Sequence, residues 1–448
     1  MTQEPSPVVT SEEPFRVPVL NLLRLAVPAV LVGIGSALTL LGLSRLAGLL
    51  EHWIWDDLSA ALGVSSDSAL WIIGVLTATG LLIGLVVRYA PGHAGPDPAT
   101  LELVAEPLPL RVLPGLAVAL VLMLAGGVSL GPENPIIGIN VGLAVGIGMR
   151  FLPKVKAPIW LMMAVAGTIG AMFGTPVAAG LLFSELDPGD RRIPLWDRLF
   201  PPLVAATAGS LTMMQLEDLD LAVDVPAYTY GGLDDLGLAV LIALGSAVLG
   251  LVAVYLFVPM HRLFRRIGHP VLMLTTGGLI LGLLGALGGE VTLFKGLTQM
   301  QELPGLAATT TALGFLAMAG IKLLAMLVAA TSGFRGGRIF PALFVGVALG
   351  FAIHQAFDGI PLALAVSAAV VGIVVAATRN GWLSIFMAVA VVPQVTLLVP
   401  IVLATLTAWL VVTNRPALVA PAEPTAPAEP AAPAEPSGPA PDAPRVSP

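Results

Sequence analysis

Residues 129–140 read SLGPENPIIGIN, which sets a carboxylate, Glu133, between Pro132 and Pro135 with long apolar runs on both sides. The rest of the chain makes that placement unusual. Of 448 residues, 56% are hydrophobic and 11% charged, against roughly 25% charged in a soluble domain. With a mean hydropathy of +0.93, the chain reads as an all-α polytopic membrane protein. An ionisable group at the centre of a bilayer costs about 2.5–3.5 kcal/mol on insertion scales. Glu133 therefore needs a reason to be there.

Outward from this stretch, apolar segments long enough or nearly long enough to cross a bilayer fall near 20–50, 69–89, 111–129, 135–152, 158–185, 199–215, 235–259, 270–288, 306–331, 340–356, 361–378 and 381–412. Several are short, and Gly and Pro (49 and 39 residues) interrupt many of them. Such broken helices expose backbone amides at membrane depth, which is tolerated only where the backbone is buried in protein or lines a cavity. Residues 1–18 are acidic and contain proline, and they lack the basic start of a secretory signal. From Pro416 the chain turns to Pro/Ala/Glu repeats, which bury no core and predict a disordered, extended tail over 416–448. Residues 186–200 and 261–270, with Arg150, Lys154 and Lys156, hold most of the loop cations and are candidates for the cytoplasmic side.

The composition also excludes classes of function. No cysteine is present, so there is no disulfide framework, thiolate nucleophile or thiol metal site. The five histidines stand in no metal-ligand spacing, and no basic patch suggests nucleic acid. No Ser/His dyad, paired intramembrane Asp motif or zinc motif supports an enzyme, and no organic cofactor is implied.

The quoted stretch has an echo. AGGVSLGPENPIIGINVGLAVG (125–146) and SGFRGGRIFPALFVGVALG (332–350) each carry G-x-x-x-P before an apolar, Gly-bearing helix, from Gly131 to Pro135 and from Gly337 to Pro341. Paired Gly/Pro-broken segments in the two halves of a chain point to a transporter binding site; in a chain this rich in Gly and Pro, the spacing alone also arises by coincidence. Pro fits a first helical turn. The first four N–H groups of a helix lack internal partners, and with the helix dipole they favour an anion. Two such N-termini meeting near the midplane would strip water from an anion without a full lysine or arginine charge, and conduction needs binding weak enough to release. Glu133 then has two readings: an anion in the anion's place, plugging the path until protonated or displaced, or an ordinary first-turn glutamate stabilising its helix at the membrane surface.

The pattern Gly131-Pro132-Glu133-Asn134-Pro135, followed far downstream by Ser332-Gly333-Phe334-Arg335-Gly336-Gly337-Arg338-Ile339-Phe340-Pro341, resembles the CLC family of chloride channels and proton-coupled chloride antiporters. The resemblance runs in order from about residue 20 to 418. It is nearest to a bacterial branch of ion-transport proteins, through stretches such as SALWIIGVL (68–76) and the segment at 89–98. It implies an inverted repeat of short, tilted, partly re-entrant helices, with halves at 19–215 and 216–415, and one pore per subunit in a homodimer. It implies a bacterial plasma membrane, chloride or another small anion as cargo, and Glu133 as the gate. Gly131, Pro132, Asn134, Pro135, Gly337, Arg338, Ile339 and Phe340 would surround the anion.

Four departures qualify what it implies. GHAGPDP (92–98) holds no serine where the family has one touching the anion, and Asp97 reads best as a helix cap. Leu418 stands in place of the inner tyrosine. Glu185, the candidate proton relay, falls one position short of the family's internal glutamate, and a one-residue gap would offer Asp187 instead; a solvated loop acid is the plainer reading there. Asn134 replaces a glycine, and Arg338 brings a charge into the second motif, as a path cation, a partner of Glu133 or a side chain reaching the interface. Arg335 and His93 read as loop residues, Lys322 as a buried charge needing a partner, and the seven tryptophans mostly as interfacial anchors. Proton-coupled chloride or fluoride exchange is thus a rival activity, and a scaffold or sensor with a degenerate pore a rival class.

Overall fold

The computed structural model describes residues 18–101, 105–186 and 192–421. Of the expected tails, residues 1–17 and 422–448 lie outside the described residues, as does Asp187. Among the described residues all regular structure is helical except one two-residue bridge, and nine helices are long and apolar enough to cross a membrane.

Helix α1 (Val19–His52) runs on through a wide π-turn, Trp53–Leu58, into the single turn α2 (Ser59–Ala61). Then follow α3 (Ala69–Tyr89), α4 (Leu113–Ala125), α5 (Glu133–Phe151), α6 (Ala157–Phe173), α7 (Pro176–Leu186) and α8 (Leu195–Leu216). The second half comprises α9 (Leu233–Arg265), α10 (Pro270–Gly288), α11 (Leu297–Leu306), α12 (Ala312–Thr331), α13 (Ile339–Ala356), α14 (Leu362–Thr378), α15 (Gly381–Val391) and α16 (Leu398–Val412). Lengths recur in order: 34 and 33 residues for α1 and α9, 19 and 18 for α5 and α13, 17 for both α6 and α14, 11 for both α7 and α15.

Two expected spans are each two helices. The stretch 158–185 breaks at Gly174, whose φ of 70° ends α6 before Pro176 opens α7. The stretch 381–412 breaks around Pro393, between α15 and α16. Helix α11 had no apolar run to announce it, because LTQMQELPGL is mixed in polarity. Helix α9 continues past Pro259, which sits inside it. Two tryptophans are not anchors: Trp55 is buried and donates to the Ala125 carbonyl at 2.9 Å, and Trp160 is buried as well.

The α5–α6 link carries Lys154 and Lys156. The end of α9 carries Arg262, Arg265 and Arg266, which form a basic end just before α10. The span-length helix α10 separates this basic end from residues 289–296, which follow its other end.

The halves lock together where α3 meets α10. Gly80 of α3 faces Gly278 of α10, while Gly84 lies against Val271 and Gly282 against Ile73. A Cβ on Gly84 would stand 2.7 Å from Val271 Cα, and one on Gly282 2.6 Å from Ile73 Cα. Glycines four apart on both helices let backbones touch where lipid supplies no hydrophobic drive. Gly278→Val is expected to force the pair apart and cost at least the roughly 1–3 kcal/mol typical of overpacking, read as a lower melting temperature of purified protein in detergent. Elsewhere Asn140 of α5 donates to Thr168 Oγ1 of α6 at 2.8 Å and to the Ser36 carbonyl of α1 at 3.3 Å, holding the start of α5 in its half of the bundle.

Candidate functional site

The two Gly/Pro motifs meet. Gly131 N–H donates to the Gly337 carbonyl at 2.9 Å, and Gly337 N–H returns a bond to the Gly131 carbonyl at 2.7 Å. This pair brings the N-terminus of α5, at Glu133, against that of α13, at Ile339. Pro132 precedes the first turn of α5 and Pro135 lies within it, so Pro135 removes an amide that would have had no partner. Pro341 does the same in α13.

Glu133 is fully buried between the two N-termini. Its Oε1 accepts from Phe340 N–H at 2.9 Å, in the first turn of α13. Oε2 has no partner. Both bridge positions must be glycine, because a Cβ on either would stand 2.6 Å from Glu133 Cδ. Of the sequence-stretch candidates, Gly131, Pro132, Glu133, Pro135, Gly337, Ile339 and Phe340 are brought together here. Asn134 points aside, into a small cavity it shares with Ile137, Gly138 and Arg335.

Arg338 turns the other way from the carboxylate. Its guanidinium donates to the Leu101 carbonyl at 3.0 Å and to the Leu418 carbonyl, and lies 5.4 Å from the Phe257 ring centroid. Leu418 is buried, and two residues on Ala420 N–H donates to the Ala99 carbonyl at 2.8 Å. The segment after α16 thus folds back beneath the site, fastened by Arg338.

A family model described as voltage gated chloride channel matches residues 74–413. The chain belongs to the CLC family. Among curated CLC-like relatives, proteins named "Putative ion-transport protein YfeO" from Escherichia coli K12 and Shigella boydii are 49% identical over 398 residues, covering 89% of this chain and 95% of theirs. Two solved structures share the fold. A slow cyanobacterial Cl-/H+ antiporter superposes with a TM-score of 0.74 at 16% identity over 90% of this chain and 96% of its own. A CLC-type fluoride/proton antiporter superposes with a TM-score of 0.71 at 20% identity over 88% of this chain and 97% of its own.

Against the CLC pattern, the serine-less loop is held in an unexpected way. Gly92, His93, Ala94 and Gly95 all have positive φ, at 64°, 55°, 54° and 90°. Left-handed backbone costs a non-glycine residue about 1–2 kcal/mol and persists where surroundings over-determine it. Arg335 supplies that constraint, donating to the carbonyls of His93 (2.8 Å), Ala94 (3.2 Å) and Gly95 (3.0 Å). The reading of Arg335 as a loop charge is corrected: it is buried and closes the 92–95 turn against the second motif. Nothing in SGFRGG announced this, since its partners are backbone atoms some 240 residues away. His93 is exposed, its Nδ1 at 3.0 Å from the Val87 carbonyl.

Asp97 caps the following turn, accepting from Ala99 N–H at 3.0 Å, and pairs with His261 Nε2 at 2.9 Å. Burial alone would push its carboxyl up; the bonds from His261 and Ala99 outweigh burial and hold it below the usual value. A carboxyl depressed in the folded state stabilises above its unfolded pKa, about 3.9, and loses that contribution as pH falls through the folded value. Asp97→Asn is therefore expected to melt below wild type at neutral pH, with the gap narrowing only below about pH 4. Melting curves of both proteins from pH 7 to 2.5 check this, and a constant gap would count against it.

Glu185 does not project free. Its two oxygens accept from Gly381 N–H (3.1 Å) and Trp382 N–H (3.2 Å) at the start of α15. Lys322 finds three carbonyls, those of Thr292 (3.0 Å), Leu293 (2.6 Å) and Phe294 (2.7 Å). Lys295, in the same loop, escaped the sequence reading; its only signal was a lone cation after the apolar run VTLF.

Proposed function

We propose that this CLC chain moves chloride across the plasma membrane of a bacterium as a homodimer, with its basic face in the cytoplasm and Glu133 as the gate of each path. One observation carries the reading. The Glu133 carboxylate lies across the N-termini of α5 and α13, where unpartnered amides and two helix dipoles favour an anion. With the carboxylate in place, the path is closed. Protonation or outward swing frees the amides of Ile339 and Phe340 for chloride, flanked by Gly131, Pro132, Pro135 and Gly337, with Arg338 as the cation on the basic side and Asn134 turned away from the ion.

A second reading keeps the site and adds proton-coupled exchange of chloride or fluoride. It is supported by the names of the two solved relatives, a Cl-/H+ and a fluoride/proton antiporter. Glu185 is its candidate relay, on the basic side.

Purified protein in liposomes loaded with chloride or fluoride and a proton-sensitive dye separates these. Chloride efflux without stoichiometric proton movement supports the first reading, and coupled movement the second. Efflux of neither anion, where a known CLC protein works, would turn the reading toward a scaffold or sensor.

A further inference from the structure

After α16 the chain runs through a segment with no regular structure of its own. The helix stops at Val412. Asn414 then turns the chain with a φ of 58°, a left-handed conformation that asparagine tolerates. Pro416, which has no N–H to offer, keeps residues 413–421 from resuming a helix. Irregular backbone at membrane depth persists only where protein supplies its hydrogen bonds. Two half-buried arginines supply them here. Arg379, at the end of α14, donates to the carbonyls of Val412 (2.7 Å) and Pro416. Arg338 donates to the Leu418 carbonyl, and Ala420 N–H donates to the Ala99 carbonyl at 2.8 Å. Arg379 thus holds the root of this strap, and Arg338 with Ala99 holds its far end.

The far end touches both the site and the basic end of the molecule. The second terminal nitrogen of Arg338 donates to the Leu101 carbonyl at 3.0 Å, so one guanidinium joins the strap to the 97–101 turn. Both partners pack on the last turns of α9. Arg338 lies over Phe257, and Asp97 pairs with His261 at 2.9 Å, just before the arginines of the basic end. In the other direction Arg338 immediately precedes Ile339 and Phe340, whose N–H holds Glu133. A different segment covers the other side of the site. Phe294 N–H donates to the Gly127 carbonyl at 2.9 Å and Ser129 Oγ to the Thr292 carbonyl at 3.1 Å, beyond the far end of α10. The strap therefore lies on the basic side of Glu133, with Leu418 and Ala420 each only 2% exposed.

We propose that Arg338 is a positioning residue that latches the 413–421 strap across the basic end of the path, and that the latched strap is a second barrier in series with Glu133. The inference rests on Glu133 being the gate of a chloride path. An apolar constriction stops an ion by excluding the water around it, and a buried leucine held through its own carbonyl forms such a constriction without any charge. Arginine suits the latch, because its planar fork reaches carbonyls on two separate segments at once, where a lysine offers a single point. The latch stands beside the amide that receives Glu133, so both barriers are built on the start of α13.

The chain has no cysteine, so a thiol placed in the strap is unique. Ala420→Cys reports the latch through its rate of labelling by a charged thiol reagent. Chloride efflux from liposomes is compared in Glu133→Ala, where the first barrier is gone, with and without Arg338→Met. Arg338→Met is expected to speed labelling about tenfold, because losing a charge-assisted bond raises the population of local opening. It is also expected to raise efflux over Glu133→Ala alone roughly three- to tenfold, or about 0.7–1.4 kcal/mol of barrier. Arg338→Lys should fall between the two in both readouts. Faster labelling with unchanged or lower efflux overturns the barrier, a fall being what the loss of a path cation alone predicts. Unchanged labelling overturns the latch. Should Arg338→Met fail to fold, a lock decides: Ala99→Cys with Ala420→Cys in the Glu133→Ala chain. The 2.8 Å backbone bond between these positions sets their Cα atoms within the roughly 4.4–6.8 Å that a disulfide spans. Oxidation must then cut efflux severalfold and a reductant restore it. A pair that does not cross-link, or cross-links without effect on efflux, overturns the strap. If Glu133→Ala passes chloride no faster than wild type, the gate reading fails, and the effect of oxidation on efflux still judges the strap; a chain that passes no chloride in any variant refutes both.

Discussion

Glu133→Ala is expected to raise chloride efflux from liposomes roughly ten- to hundredfold and to leave a rate that no longer varies with pH. The size follows from what holds the gate shut. A charge-assisted hydrogen bond contributes about 1.5–3 kcal/mol, and each tenfold in rate is about 1.4 kcal/mol. With Glu133 as the proposed gate, the bond to Phe340 N–H, with both helix dipoles behind it, would bias the path toward closure by about one to two decades. Alanine removes the competing anion and leaves the amides in place. Glu133→Gln separates charge from size: it keeps an oxygen for Phe340 but loses the charge, so its rate should fall between wild type and alanine, also without pH dependence. Efflux unchanged in both variants would remove Glu133 from the path.

Arg335→Met should produce the largest loss of stability, about 1–3 kcal/mol for each buried carbonyl left without a donor. The substitution orphans the carbonyls of His93, Ala94 and Gly95 in a buried place and releases the left-handed turn they close. Lysine should rescue only in part, because its point-like ammonium lacks the planar fork whose Nε and Nη2 reach the Ala94 carbonyl and the His93 and Gly95 carbonyls separately. Thermal melting in detergent reads the loss. Transport should fall with it, since the 92–98 loop lies beside the segment that Arg338 fastens through Leu101. A variant that melts like wild type would show that the turn holds its shape unaided.

What was legible in the sequence had local causes. Length and hydrophobicity placed α3 and α10 at their observed bounds, and the Gly/Pro echo named both N-termini of the site before any geometry. Three kinds of feature were hidden. Breaks inside apolar runs, at Gly174 and Pro393, leave composition unchanged across the break. A mixed helix such as α11 gives no apolar window. Buried cations were the hardest to read, because Arg335, Arg338 and Lys322 are satisfied by backbone carbonyls, and a carbonyl leaves no mark in a sequence. That is why Arg335 reads as a loop charge and Lys295 goes unnoticed, whereas Asp97, whose capping is local, is read correctly.

The bridge between Gly131 and Gly337 also constrains how the chain is made. Glu133 and the amide that receives it are 207 residues apart. At roughly 5–20 residues per second, the ribosome needs on the order of ten to forty seconds to deliver that partner. Throughout this interval the first motif is already synthesised, with a carboxylate and unsatisfied amides at membrane depth and nothing yet to receive them. The newborn first half must therefore be sheltered, by the insertion machinery or by pockets of water, until its second half arrives, and any codon change that slows synthesis between the two motifs lengthens that exposure.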